Sequence, residues 1–230
     1  MSFPAYTTVP QKIWHYGLRV FCGLVFFYLI GPILAIIPLS FSSGTYFTYT
    51  EDMLRLSPSG FSLEHYRDAL TNPEWTDSIW NSVRIAFPAT AFAVSLGTLA
   101  SIGLARKRLP GRRLLMATLI SPMIVPLIIS ALGMFFFYSS LGNFLQDTLG
   151  FSKDTSEYIK IVLAHAVLGV PFVVITVTST LIGFDASLTQ ASASMGAGPV
   201  RTFFKVQLPL ILPGVISGAL FAFITSFDEV

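Results

Sequence analysis

The sequence predicts an all-α, polytopic helical membrane protein, and three observations carry that prediction. Hydrophobic residues make up 53% of the 230 and charged residues only 11%, less than half the roughly 25% usual in a soluble domain. The apolar residues gather into runs of about 20, the length a helix needs to cross a hydrocarbon core of about 30 Å. Runs such as FCGLVFFYLIGPILAIIPL also lack the alternation required of membrane-barrel strands. A soluble enzyme and a disordered chain are both excluded. The net charge of +2 leaves no basic footprint for nucleic acid. Cys22 is the single cysteine; it has no disulfide partner or metal-ligand spacing and reads as a small apolar residue.

The elements follow in order. A tail, 1–17, leads into span 1 at 18–39. Its apolar run exceeds the 7–15 residues of a signal-peptide core, and no small-x-small cleavage site follows closely, so the span is expected to be retained. The connection 40–78 contains SPSGFSLEHYRDALTNPEW. Ser62 there resembles an N-cap, and Asn72-Pro73 a stop, so a short helix is expected. It either covers the mouth of the bundle or touches a partner. Span 2 occupies 79–104 and carries Ala89, Ala93, Gly97 and Ser101 at four-residue spacing. A basic connection, 105–113, leads to span 3 at 114–138, which Pro122 and Pro126 are expected to interrupt. After the connection 139–157 comes span 4 at 158–182, with Pro171 inside it. A segment at 183–210 precedes span 5 at 211–230, where Gly214 and Gly218 are again four apart. Such small-residue stripes let membrane helices approach closely, and prolines within spans free backbone carbonyls and kink the rod.

Loop charge sets the orientation. One set of connections carries Lys12, Arg19, Arg106, Lys107, Arg108, Arg112, Arg113, Arg201 and Lys205 against one acid, Asp185. The other carries Arg55, Arg67, Lys153 and Lys160 against Glu51, Asp52, Glu64, Asp68, Glu74, Asp77, Asp147, Asp154 and Glu157. The positive-inside rule therefore places the N-terminus and the basic connections in the cytoplasm.

The segment DASLTQASASMGAGPVRTFFKVQLPLILPG holds the most information. Ser187 with Gln190 fits a capping box for a helix running to Met195, and Gly196 is a suitable stop. Gly198-Pro199 then starts a second short helix. Val200, Phe203, Phe204 and Leu208 share one side of it, Arg201 and Lys205 point elsewhere, and Pro209 is expected to end it. A helix made almost wholly of alanine and serine builds no core of its own, but it is narrow enough for a groove on another protein. The residues alone leave two readings: a docking element that transmits force, or a solvated loop.

QASASMGAGPVRTFFKVQLPLILPG resembles the EAA loop of permease subunits from binding-protein-dependent ABC importers. Ala191, Gly196, Ala197, Phe203 or Phe204, Val206, Leu208, Pro209 and Pro213 fit that pattern. Gln190 stands where glutamate is usual, and Ser192 where alanine is usual. IWNSVRIA, SPMIVPLIISALG, LAHAVLGVPFVV and LFAFITSFDEV look like the same family, the last most like its spermidine/putrescine branch.

The resemblance implies a type I ABC importer permease fold in the inner membrane of a bacterium. It also implies two ATP-binding subunits, a second permease and an external substrate-binding protein as partners, and a sixth span beyond the five seen. Gln190, Ala191, Ser192, Gly196, Ala197, Arg201, Phe203 and Phe204 become the expected ATPase-coupling residues. No G-x-x-x-x-G-K-[ST] run is present, so ATP is expected to bind partner subunits. No catalytic residue, metal or cofactor of the chain's own is expected.

Three ionisable residues are candidates for the substrate path. His165 lies inside span 4; it either faces a pathway or bonds a neighbouring helix. Asp228 and Glu229 lie near the outer end of span 5, where carboxylates facing lipid are costly. They either attract a cation, pair with the partner permease or are simply solvated. Adjacent helical positions diverge by about 100°, so one of the two, Asp228, is expected to face inward. Arg84 is expected to snorkel to the outer interface. The expected cargo is a polyamine or similar cationic amine. The rivals are another solute of the same importer class (a phosphonate, an opine or iron), an ion-driven secondary transporter, which commonly shows inverted repeats not seen here, and a structural scaffold.

Overall fold

The computed structural model describes residues 6–106 and 109–229. Lys107 and Arg108 of the basic connection, and Val230 at the end of span 5, lie outside them. The chain divides into two compact units, Met1–Thr76 and Asp77–Val230.

In the first unit, α1 (Val9–Leu39) starts well before the expected position 18. The Thr8 N–H donates to Gln11 Oε1 at 3.0 Å, the backbone half of a capping box, and the helix continues from there into the apolar run. It buries none of its residues, as suits a helix whose solvent is lipid. The connection beyond it contains α2 (Glu51–Leu54), a 3-10 turn at Pro58–Gly60 and α3 (Glu64–Thr71). Ser43 N–H to Gly60 O (3.1 Å) and Ser62 N–H to Phe41 O (2.8 Å) tie its ends together. The expected short helix is α3, and the Ser62 hydroxyl accepts the Glu64 N–H at 3.0 Å. Asn72 ends α3 and also opens the next helix, because its Oδ1 accepts the Glu74 N–H at 3.1 Å and Pro73 stands at the first position.

That next helix, α4 (Pro73–Leu104), supplies one wall of the second unit. The others are α5 (Arg112–Ile124), α6 (Leu127–Asp147), α7 (Lys153–Ile182) and α10 (Leu208–Asp228), with the short α8 (Ser187–Ser194) and α9 (Pro199–Thr202) between the last two. Five described helical stretches are long and apolar enough to cross a membrane.

The core is a three-helix seam of small residues. Ala89, Ala93, Gly97 and Ser101 of α4 are all buried, as are Gly214 and Gly218 of α10. Both stripes meet α7. A Cβ on Gly97 would lie 2.8 Å from Val173 Cβ, and one on Gly218 would lie 2.8 Å from Val173 Cα. The α10 stripe continues through Ala222 and Ser226, and Gly169 of α7 faces both Ala93 and Ala222. Ser101 Oγ donates to Gly97 O at 2.7 Å and lies 3.3 Å from Val174 O. Contact between helices therefore rests on backbone proximity rather than on large side chains.

Three expectations change. Span 3 is not one helix over 114–138. Its chain breaks at Val125-Pro126, where both residues are extended (ψ 135° and 133°), because a proline pushes the preceding residue, here β-branched, out of the helical region. Pro122 by contrast sits inside α5 without ending it. α5 has 13 residues, about 20 Å of helix and too short to cross alone, so the crossing stretch is Ile128–Asp147. Secondly, Pro209 does not end the helix that starts at Pro199. The chain passes through a π turn at Phe203–Gln207 straight into α10. The Leu208 N–H reaches back to Phe203 O, and the wider turn absorbs a proline that has no N–H to give. Thirdly, Ser187 is not the cap of α8. Ser187 is the first residue of the helix, behind Ala186 at the cap, and Asp185 holds it there, with Oδ1 accepting the Ser187 N–H (2.9 Å) and Oδ2 the Ser187 hydroxyl (2.7 Å).

Candidate functional site

Two regions of the second unit concentrate the singled-out residues. The first is the segment from Asp185 to Gln207. The two bonds from Ser187 hold the exposed Asp185 carboxyl below the usual carboxylate range, and its charge stands at the positive end of α8. At the other end the Ala197 N–H bonds to Ser192 O (3.1 Å) and the Gly196 N–H to Ala193 O (2.9 Å). This is the double closure of a Schellman cap. Gly196 has φ +82°, the left-handed conformation in which a Cβ is strained.

Gln190, Ala191, Gly196, Arg201 and Phe204 are exposed, and Ala197 and Phe203 are partly so. Ser192 is turned inward instead. Its hydroxyl shares a 2.9 Å hydrogen bond with Thr202 Oγ1, both side chains being buried. The expectation that Ser192 itself enters a partner's groove is corrected. It locks α8 to α9, so the two short helices present one fixed outer surface. Serine in place of the family's usual alanine thereby gains a role, and Thr202 is its unforeseen partner. Phe203 and Phe204 meet edge to face at 4.9 Å in the π turn that leads into α10.

The second region is a cavity of about 640 Å³ walled by α6, α7 and the residue that follows α10. On α7, Glu157, Lys160, Ile161, Ala164, His165 and Leu168 line it, positions three and four apart that form one helical stripe. On α6, Ile128, Ala131, Met134, Phe135, Tyr138 and Ser139 do the same. Glu229 closes it, and Asp228 does not line it. The preference for Asp228 is thus corrected. The helix ends at Asp228 and Glu229 turns off it (φ −93°, ψ 2°), so the regular 100° step no longer governs where the second carboxylate points.

His165 Nδ1 lies 3.0 Å from Ser226 Oγ and 3.2 Å from Ser226 O. The ring therefore bonds a neighbouring helix and lines the cavity, fastening the end of α10 beside α7. Lys160 Nζ pairs with Glu157 Oε1 at 2.8 Å. Arg84 of α4 is exposed, its guanidinium 5.1 Å from the Trp80 ring centroid, a cation–π contact. No group of metal-ligating side chains occurs among the described residues.

The sequence reading passed over Glu157, Lys160, Tyr138 and Ser139. A signal existed: Glu157, Lys160 and His165 fall on one face of an otherwise apolar helix.

With this geometry in hand, comparison with known proteins is informative. The family described as binding-protein-dependent transport system inner membrane component matches residues 93–230. The chain is 32% identical over 212 residues to the spermidine/putrescine transport system permease protein PotC of Haemophilus influenzae, covering 92% of this chain and 75% of that one. It is 29% identical to the putrescine transport system permease protein PotI of Escherichia coli, covering 90% and 69%. A crystal structure of a bacterial ABC transporter involved in the import of the acidic polysaccharide alginate shares the fold, with a TM-score of 0.62 at 20% identity over 97% of this chain and 74% of that one.

Proposed function

The chain belongs to the binding-protein-dependent transport system inner membrane components, permease subunits of ABC importers that sit in the membrane by several spans, and from that premise we propose that its cargo is a polyamine or similar small cationic amine. The names of its relatives supply the solute class. The observation that carries the proposal is Glu229, a carboxylate at the edge of a cavity whose other walls are largely apolar. For an amine the same cavity offers this carboxylate together with Tyr138 and Ser139, and apolar wall from Ile128, Phe135 and Leu168 for a methylene chain. Cations are attracted both to carboxylates and to aromatic faces.

In this reading two partner ATPase subunits bind and hydrolyse ATP, a second permease completes the pathway, and an external binding protein delivers the amine. The chain's part is transport rather than catalysis. The surface made by Gln190, Ala191, Gly196 and Ala197 docks on the ATPase, and the Ser192–Thr202 bond makes it move as one body with α9. The uninterrupted path from Pro199 through the π turn to Asp228 carries that motion to the cavity, so ATP-driven closure reorients the bundle by alternating access. The N-terminus is cytoplasmic, supported by the basic excess of the connections on that side.

Glu229→Gln in the assembled importer tests the cargo. Amine uptake should weaken at least several-fold while assembly and basal ATP hydrolysis stay intact. Unchanged uptake of every cationic amine tried would remove the case for a cation path here.

A further inference from the structure

We propose that Lys160 is a specificity-determining residue of the cavity: a built-in cation that neutralises Glu157 and leaves Glu229 as the one carboxylate open to an incoming ammonium. This rests on the cation-path reading above and adds a rule to it, that the cavity takes one ammonium group at a time.

Three observations support the rule. Lys160 is held rather than free, since its ammonium lies 2.8 Å from Glu157 and only 16% of its side chain is exposed, against 45% for Glu157. Its stem has a prepared bed. A Cβ on Gly142 of α6 would lie 2.8 Å from Lys160 Cδ, 2.9 Å from Nζ and 3.1 Å from Cε, so the side chain lies flat across that helix at a glycine and would have to shift for any larger residue. Finally, the lining contains two carboxylates and one ammonium, and Glu229 makes no ion pair among the described residues.

The charge balance follows directly. With His165 neutral, the lining carries a net charge of −1. One substrate ammonium at Glu229 brings it to zero. A second ammonium of the same molecule then meets the neutral Glu157–Lys160 pair rather than a free carboxylate, and gains no second ion pair there. A diamine is therefore held by one end, which leaves it easier to release than a doubly anchored one.

The test measures equilibrium binding of 1,4-diaminobutane and 1-aminobutane to the purified membrane complex of permeases and ATPases, without the external binding protein. Lys160→Gln should raise the preference for the diamine over the monoamine by about tenfold, because Glu157 becomes a second anchor. Lys160→Arg should leave the preference as in the parent. The double change Glu157→Gln with Lys160→Gln restores the net charge of −1 and should return the preference to the parent value. It also leaves no more unpaired charge than the parent carries, so it assembles even if the single variant does not. A diamine preference unchanged in Lys160→Gln, or displaced in the double variant, overturns the rule. Failure of the underlying reading looks different: Glu229→Gln would then bind both amines as the parent does.

Discussion

Placing a methyl group at Gly214 should separate α7 from α10, and the structure supplies the size of the effect. A Cβ there would stand 2.0 Å from Thr180 Oγ1 and 2.9 Å from Thr176 O, where ordinary contact begins at 3.4 Å. The two obstacles respond differently. The Thr180 hydroxyl can rotate away, but it then gives up its 2.8 Å bond to Thr176 O, a loss of about 1 kcal/mol. The Thr176 carbonyl belongs to the backbone and cannot rotate. To reach ordinary contact the helices must part by about 0.5 Å along the seam, and overpacking of this kind costs about 1–3 kcal/mol.

Gly214→Ala should therefore destabilise the permease by about 3 kcal/mol, roughly a hundredfold in the folding equilibrium. Adding Thr180→Ala removes the hydroxyl clash and should recover about 1 kcal/mol of that, leaving the carbonyl contribution in place. Gly31→Ala is the control, because nothing lies within 4 Å of its added Cβ. Reversible unfolding of the purified protein in mixed micelles, titrated with a denaturing detergent, reads all four proteins on one scale. If Gly214→Ala is as stable as the parent, or Gly31→Ala loses as much, close backbone contact is not what holds α7 and α10 together.

The remaining predictions concern the segment 183–207 and the orientation. Gly196 has φ +82°, so Gly196→Ala should strain the end of α8 by about 1–2 kcal/mol and reduce ATP-coupled uptake, with Gly196→Asn milder; full coupling in Gly196→Val would refute the requirement. The Asp185 carboxyl is held below its ordinary range by the Ser187 N–H and hydroxyl. Its contribution to α8 is thus complete above the unfolded value of about 4 and should fade as pH falls through the lower folded value. Proteolysis of the 183–187 connection in Asp185→Asn should be as fast at pH 7 as in the parent at low pH, and equal protection of the two proteins at pH 7 would contradict this. Cysteines introduced by Ser59→Cys and Ser152→Cys should react with an impermeant reagent added outside cells, and one introduced by Ser187→Cys should not; labelling of the last would reverse the orientation.

How much was legible follows from where the controlling forces lie. Apolar length needs no partner to be read, and α1, α4, α7 and α10 all sit where long apolar runs predict helices, with the starts of α1 and α4 extended to caps at Thr8 and Asn72. The seam residues were legible for a similar reason. A four-residue spacing of Ala, Gly and Ser defines a helical face whatever packs on it, and both stripes proved buried. Prolines were harder, since one residue type had three outcomes: Pro122 rides inside α5, Pro126 breaks the span behind Val125, and Pro209 is absorbed by a π turn. The difference lies in the backbone around each, which residue type does not encode. The cap of α8 was displaced by one residue, to Ala186, because the Asp185 carboxylate draws Ser187 into the first turn, and that contact depends on how the chain leaves α7.

The cavity was the least legible part, and α7 explains why. Its two faces obey different rules over the same residues. One face, through Gly169, Val173 and Thr176, is small and closes against α4 and α10. The other carries Glu157, Lys160, Ala164, His165 and Leu168 into open space. Averaged along the helix, the first face hides the second, and the span reads simply as apolar. Only the period separates them. The charges on the open face also have no evident energetic reason to be there until α6 and α10 are in place, when Gly142 supplies a bed for Lys160 and Ser226 holds the His165 ring. A helix that packs tightly on one side and keeps a balanced pair of charges on the other can shift along the seam without baring an unpaired charge to lipid. Close packing of small residues and retention of polar groups within the span are therefore complementary.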